Sequence, residues 1–151
     1  MTKVKICGLR REEDVRYVNR YLPDFAGFVF AKSKRKVTKE TAKQLREQMD
    51  DRILAVGVFV NASLEEIREL CEEGIIQMIQ LHGDENRGYM ETLRGLLPGV
   101  PVIRAVRVRN RRQVEEAEAL PCDYLLLDTY TKGRYGGSGT QFDWNMIPEL
   151  K

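Results

Sequence analysis

The stretch Lys3-Val4-Lys5-Ile6-Cys7-Gly8 opens the chain and decides how the rest is read. It is a short apolar run that ends on a thiol and then a glycine, the pattern of a buried strand feeding a loop. Five more runs rich in Val, Ile, Leu or Phe follow, so that apolar segments fall at 4–7, 26–30, 54–60, 78–81, 102–106 and 124–127. Their starts are separated by 22, 28, 24, 24 and 22 residues. Continuous apolar runs, without in/out alternation, mark strands covered on both faces, as in a parallel sheet.

Amphipathic helical patterns fill the gaps. The spacing predicts helices over 11–22 (Val15, Val18, Leu22), 38–49 (Ala42, Leu45, Met49) and 63–71 (Leu64, Ile67, Leu70, Cys71). Two more are predicted over 85–97 (Met90, Leu93, Leu97) and 111–120 (Val114, Ala117, Leu120). These are the i, i+3/i+4 stripes of helices lying on a sheet. Thr38 is an expected N-cap, and Ser63 with Glu66 has capping-box spacing. Another helix is expected from Trp144 onward. The result is a βα repeat with right-handed crossovers, in one domain over 1–151 with no linker. Either an eight-unit barrel or an open doubly wound sheet accepts such a repeat. The first βα loop, Gly8-Leu9-Arg10, lacks GxGxxG, and the near-uniform step favours the (βα)8 TIM barrel family. About six βα units fit in 151 residues, so the expectation is an incomplete barrel with parallel strands.

Composition narrows the function. With 25 basic and 23 acidic residues the net charge is +2, which gives no electrostatic case for nucleic acid. The five arginines between 104 and 112 are spread over a strand and the turn after it. No apolar run nears the ~18 residues that cross a bilayer, so no membrane partner is expected. Three cysteines without CxxC spacing point to a reducing, cytoplasmic setting, with neither a disulfide framework nor a zinc site. The single histidine, His82, leaves little material for a metal site or a serine triad.

Ligands of parallel α/β folds gather at the carboxyl ends of strands. The residues ending or following the six runs are Cys7, then Phe30 with Lys32, Ser33 and Arg35, then Asn61, His82, Arg107 and Asp128. Cys7 has two readings, a buried inert thiol or a thiolate base or nucleophile. Asp128 is either a cap or an acid/base group. Arg35 sits in a charge run that can be a solvated loop or a bidentate anion clamp. His82 reads as a loop cap or a ligand contact. Gly136-Gly137-Ser138-Gly139 reads as a mobile loop and is a weak phosphate signal. Cys71 and Cys122 read as structural.

Taken in register, Lys5-Ile6-Cys7-Gly8-Leu9, Gly27-Phe28-Val29-Phe30 with Ser33-Lys34-Arg35, Val56-Gly57-Val58-Phe59-Val60-Asn61, Gln80-Leu81-His82-Gly83, Leu126-Leu127-Asp128-Thr129 and Gly136-Gly137-Ser138-Gly139 with Phe142-Asp143-Trp144 resemble the phosphoribosylanthranilate isomerases. The resemblance implies a (βα)8 barrel and a step of tryptophan biosynthesis. That step is the Amadori rearrangement of N-(5-phosphoribosyl)anthranilate to 1-(2-carboxyphenylamino)-1-deoxyribulose 5-phosphate, with no cofactor or metal. It implies Cys7 as general base, Asp128 as general acid and Arg35 at the anthranilate carboxylate. Contacts to the phosphosugar substrate from His82, Gly136 and Gly137 are further expectations. A bell-shaped pH dependence follows if Cys7 must be charged and Asp128 protonated. The family binds phosphate on loops after strands 7 and 8, which the six runs do not include. The 151 residues alone are therefore expected to be poorly active, with strands 1 and 6 as edges open to pairing with another copy (self-association) or with a missing C-terminal fragment, or to aggregation. The competing readings are another (βα)8 sugar-phosphate isomerase and a non-catalytic barrel fragment.

Overall fold

The structure, a computed structural model, describes residues 1–132, 139 and 141–148. The six apolar runs form strands β1 (Lys5–Cys7), β2 (Phe25–Val29), β3 (Leu54–Phe59), β4 (Met78–Leu81), β5 (Val102–Val108) and β6 (Tyr124–Thr129). Between them lie helices α1 (Glu12–Tyr21), α2 (Lys39–Glu47), α3 (Leu64–Glu72), α4 (Arg87–Leu96) and α5 (Arg111–Glu118). Each helix buries one pair three residues apart against the sheet: Val15 and Val18, Ala42 and Leu45, Ile67 and Leu70, Met90 and Leu93, Val114 and Ala117. Thr38 accepts a hydrogen bond from the Thr41 N–H, and Ser63 from the Glu66 N–H, so both expected caps form.

All pairings are parallel, and the strand order is β1-β2-β3-β4-β5-β6. A doubly wound sheet reverses direction partway; here each strand is added beside the one before it, as in a barrel. The sheet is also curled. Lys5 on β1 reaches Gln80 on β4, with Nζ 2.6 Å from Oε1. In a flat sheet those strands stand about 14 Å apart at the usual spacing, so the concave faces must converge. The architecture is a half-barrel of six parallel strands with five helices between them among the described residues.

Two apolar layers follow from the two sheet faces. Outward residues such as Ala26, Phe28, Ala55, Phe59, Ile79 and Leu81 join the helices in the main core. Inward residues Val56, Met78 and Ile103, with Phe25 and Leu126 against them, fill the lower lumen. Coverage falls off at the two end strands: Ile6 on β1 is 47% exposed and Tyr124 on β6 is 46% exposed. No helix among the described residues is long and apolar enough to cross a membrane.

Two expectations are revised. The chain from Trp144 makes a 3-10 turn over Trp144–Met146, capped by Asp143, where a helix was expected. The fourth helix starts at Arg87, after an Asn86 cap, and not at 85. Glu85 is thereby released to serve as an interior clamp. Its carboxylate accepts from the Asn61 N–H (2.7 Å), the Gly83 N–H (2.9 Å) and Arg104 Nη1 (2.8 Å). Gly83 has to be a glycine there, because a Cβ would lie 2.7 Å from Asn61 Oδ1.

Cys71 and Cys122 pack against the main core, as expected for structural cysteines. Burial, helped by the Glu72 carboxylate, pushes the Cys71 thiol up to about 11. Burial also raises Cys122.

Two measurements check these points. Glu85→Ala leaves the Arg104 guanidinium and two backbone N–H groups without their acceptor. It is expected to cost about 3–5 kcal/mol in urea unfolding, whereas Arg112→Ala, which breaks an exposed pair with Glu116, shifts stability by less than about 1 kcal/mol. Because the thiolate is the reactive form, a raised pKa slows alkylation. Against an ordinary cysteine at pH 8, Cys71 is expected to react with iodoacetamide about 100-fold more slowly, read by mass spectrometry of labelled peptides.

Candidate active site

The period-2 alternation of strands puts Lys5, Cys7, Gly27, Gln80, Arg107 and Asp128 on the concave face. Cys7 and Asp128 lie at the carboxyl ends of β1 and β6, and Asp128 is in register with Arg107 on β5. Cys7 pairs in register with Gly27 of β2. A Cβ on Gly27 would stand 2.9 Å from Cys7 Sγ, so the missing side chain makes room for the thiol.

Gly8 and Arg35 complete the thiol's surroundings. Gly8 has φ +94°, the left-handed region where a side chain is strained. A Cβ there would also meet Arg35 Cδ at 2.5 Å. The vacant space lets Arg35 lie over the turn and donate from Nη1 to the Cys7 carbonyl at 3.0 Å. The loop that carries Arg35 folds back on its own strand. Val37 N–H donates to the Val29 carbonyl, and Arg35 N–H to Ser33 Oγ. Arg10 Nη1 donates to the Lys34 carbonyl, joining the first loop to the second. The charge run at 32–36 is therefore an ordered turn that sets a guanidinium beside Cys7.

The other half of the site is a polar line that the sequence did not reveal. Gln80, 2% exposed, and His82, 8% exposed, interrupt an otherwise apolar interior. Lys5 Nζ contacts Gln80 Oε1 at 2.6 Å, Gln80 Nε2 lies 3.0 Å from His82 Nδ1, and His82 Nε2 lies 3.2 Å from Asp128 Oδ2. Asp128 Oδ1 accepts from the Thr129 N–H at 2.8 Å. Burial lowers the His82 pKa. The Asp128 carboxylate opposes the shift, while Arg107 and Lys5 reinforce it. Near neutral pH the His82–Asp128 contact is thus a neutral imidazole against a carboxyl group, with little ion-pair character. Both ring nitrogens of His82 face protein groups. The available signal was Gln80 and His82 two apart, hence on one face, in a strand with no polar need of its own.

Among the other residues at strand ends, Asn61 is used structurally. It takes φ +52°, and its Oδ1 accepts from the Asp84 N–H. The arginines of 104–112 are matched one by one: Arg104 with Glu85, Arg107 with Asp84, Arg111 with Glu115 and Arg112 with Glu116. Arg109 stacks over the Tyr130 ring at 3.6 Å. That pairing explains why five arginines create no basic patch. Gly136 and Gly137 lie outside the described residues. No group of three or more His, Cys, Asp or Glu among the described residues could hold a metal ion.

Comparison with known proteins identifies relatives in sequence and in fold. The family model described as N-(5'phosphoribosyl)anthranilate (PRA) isomerase matches residues 4–151. An N-(5'-phosphoribosyl)anthranilate isomerase of Lachnoclostridium phytofermentans is 49% identical over 148 residues, covering 98% of this chain and 67% of that protein. The crystal structure of phosphoribosyl anthranilate isomerase from Thermotoga maritima superposes with a TM-score of 0.80 at 38% identity, over 97% of this chain and 70% of that one. A further phosphoribosyl anthranilate isomerase was solved in complex with reduced 1-(o-carboxyphenylamino)-1-deoxyribulose 5-phosphate. It aligns with a TM-score of 0.73 at 36% identity, over 86% of this chain and 66% of that one. A match that runs along nearly the whole chain, in sequence and in fold alike, has one consequence: the chain belongs to the N-(5'-phosphoribosyl)anthranilate isomerase family.

Proposed function

We propose that Cys7 is the general base and Asp128 the general acid of the phosphoribosylanthranilate isomerase reaction, with Arg35 holding the anthranilate carboxylate. The observation that carries this reading is the placement of a thiol and a carboxyl group on the concave face at the carboxyl ends of β1 and β6, with Arg35 donating to the Cys7 carbonyl. The complex of a related isomerase with reduced 1-(o-carboxyphenylamino)-1-deoxyribulose 5-phosphate supports a phosphosugar carrying an aromatic carboxylate as the ligand class.

The rearrangement moves a proton from C2 to C1 of the sugar. Asp128 gives its proton to the furanose oxygen as the C1–O bond breaks and the anilino nitrogen lone pair forms C1=N. The electron-poor C1=N makes the C2 proton acidic, and the Cys7 thiolate removes it. The freed pair forms C1=C2 as the C1=N electrons return to nitrogen. Protonation at C1 and loss of the enol proton then give the ketose. Acid and base stand on different strands, so each can keep its own protonation state. Arg35 beside Cys7 fixes the anthranilate end, and a guanidinium suits a planar carboxylate.

The tests separate these roles. In an active assembly Cys7→Ala and Asp128→Asn are each expected to lower kcat by about 10²–10⁴-fold, and wild-type turnover of Cys7→Ala overturns the base assignment. Arg35→Met is expected to raise KM by about 10- to 100-fold, with no comparable loss for phosphosugars lacking the carboxylate. Remote phosphate binding drives chemistry at the reacting carbon, and barrels of this kind often hold phosphate on loops after strands 7 and 8. A polypeptide of these 151 residues by itself is therefore expected to turn over little. Adding the last two βα units of a relative in trans should raise the rate.

A further inference from the structure

We propose that Lys5 and Gln80 are positioning residues that lock His82 as the Nε2–H tautomer, so that it donates a hydrogen bond to Asp128 and keeps the acid's proton directed at the substrate. The proposal rests on the reading of Asp128 as general acid. Its structural half, the lock, stands apart from that reading.

The direction of the line follows from donor and acceptor capacity. An ammonium group can only donate, so the atom of Gln80 that faces Lys5 Nζ at 2.6 Å has to be the oxygen. The Gln80 amide nitrogen then faces His82 Nδ1 at 3.0 Å, and it too can only donate. Nδ1 must therefore accept, which places the ring proton on Nε2, 3.2 Å from Asp128 Oδ2. Burial of Gln80 and His82 keeps water from substituting in the contact between them. The charged and titratable groups facing the ring are Asp128, Arg107 and Lys5, and with burial their net effect favours the neutral imidazole that the line requires.

The tautomer matters to an acid more than to a spectator carboxylate. An imidazole presenting N–H leaves the Asp128 proton free for the lumen and stabilises the carboxylate that remains after transfer. An imidazole presenting a lone pair would accept the acid's own proton as its hydrogen bond and hold it away from the furanose oxygen. It would also repel the carboxylate formed by the step. A catalytic histidine held in the wrong tautomer can cost several orders of magnitude in rate. The line also spans the half-barrel, from β1 through β4 to β6, so it bears on the position of Asp128 as well as its proton.

His82 is the only histidine of the chain, so its ring nitrogens can be read without assignment. In the 15N-histidine-labelled 151-residue chain, long-range proton–nitrogen correlation above the His82 titration is expected to show one tautomer, protonated at Nε2. Gln80→Glu exchanges the amide donor for an acceptor. It is expected to move a proton to Nδ1, seen as the opposite tautomer or as an imidazolium persisting to higher pH. Lys5→Met, on the more exposed β1, frees the Gln80 amide to turn and is expected to give a tautomer mixture. A wild-type ring protonated at Nδ1, or variants with an unchanged ring, overturns the lock. In an active assembly Gln80→Glu is expected to lower kcat at least about tenfold and to shift the pH profile, with KM nearly constant. An unchanged kcat alongside a switched tautomer overturns the catalytic consequence. Wild-type activity of Asp128→Asn alongside an intact lock would instead refute the acid assignment alone.

Discussion

The chemistry of this chain depends on the curl of one parallel sheet. Strand alternation only sorts residues onto two faces. It is curvature that converts a concave face into a site, because it brings side chains on β1, β4 and β6 into hydrogen-bonding range. The Lys5–Gln80 contact is the direct evidence, since it does not span the roughly 14 Å that separates those strands in a flat sheet. Outward apolar residues against five helices, and an inward apolar layer of Phe25, Val56, Met78, Ile103 and Leu126, hold the curl from both sides.

Stability and function are distributed unevenly over the sheet. The middle strands are the better covered, with every residue of β4 buried, while β1 and β6 hold no buried residue. Cys7 and Asp128 stand on those two end strands, the least constrained positions for groups whose geometry matters most. Each end is tied to the rigid centre by one polar contact, Lys5 to Gln80 and Asp128 to His82. Strand β4 thus acts as the reference on which both ends are aligned, which gives two buried polar residues on that strand a physical purpose.

Three glycines, two in loops and Gly27 in β2, do related work. Gly8 and Gly27 withhold Cβ atoms so that Arg35 and the Cys7 thiol can take up their positions, and Gly83 lets the third and fourth βα loops cross. The Glu85–Arg104 pair then fixes that crossing from inside. The upper rim is therefore a set of closely fitted turns, in which a buried carboxylate clamps two loops at Glu85 and a guanidinium lies against the Cys7-Gly8 turn at Arg35.

Much of this was legible in the sequence. Apolar runs spaced by 22 to 28 residues determined the six strands, and the i, i+3 stripes determined the five helices. Both are properties of local periodicity, and strand ends follow from them, so Cys7, Asp128 and Arg35 could be singled out as candidates. The start of α4 and the 3-10 turn at Trp144 could not be read, because caps compete locally with helix formation and the winner depends on tertiary partners. The roles of Gln80, His82 and Glu85 were also hidden. Each has a partner 19 to 75 residues away, and only the closing of the sheet decides which donor meets which acceptor. The sequence by itself determined the repeat and the residues at the strand ends. The tertiary structure decided which of them face one another, because hydrogen bonding between distant strands is set by curvature and register, and a linear pattern carries neither.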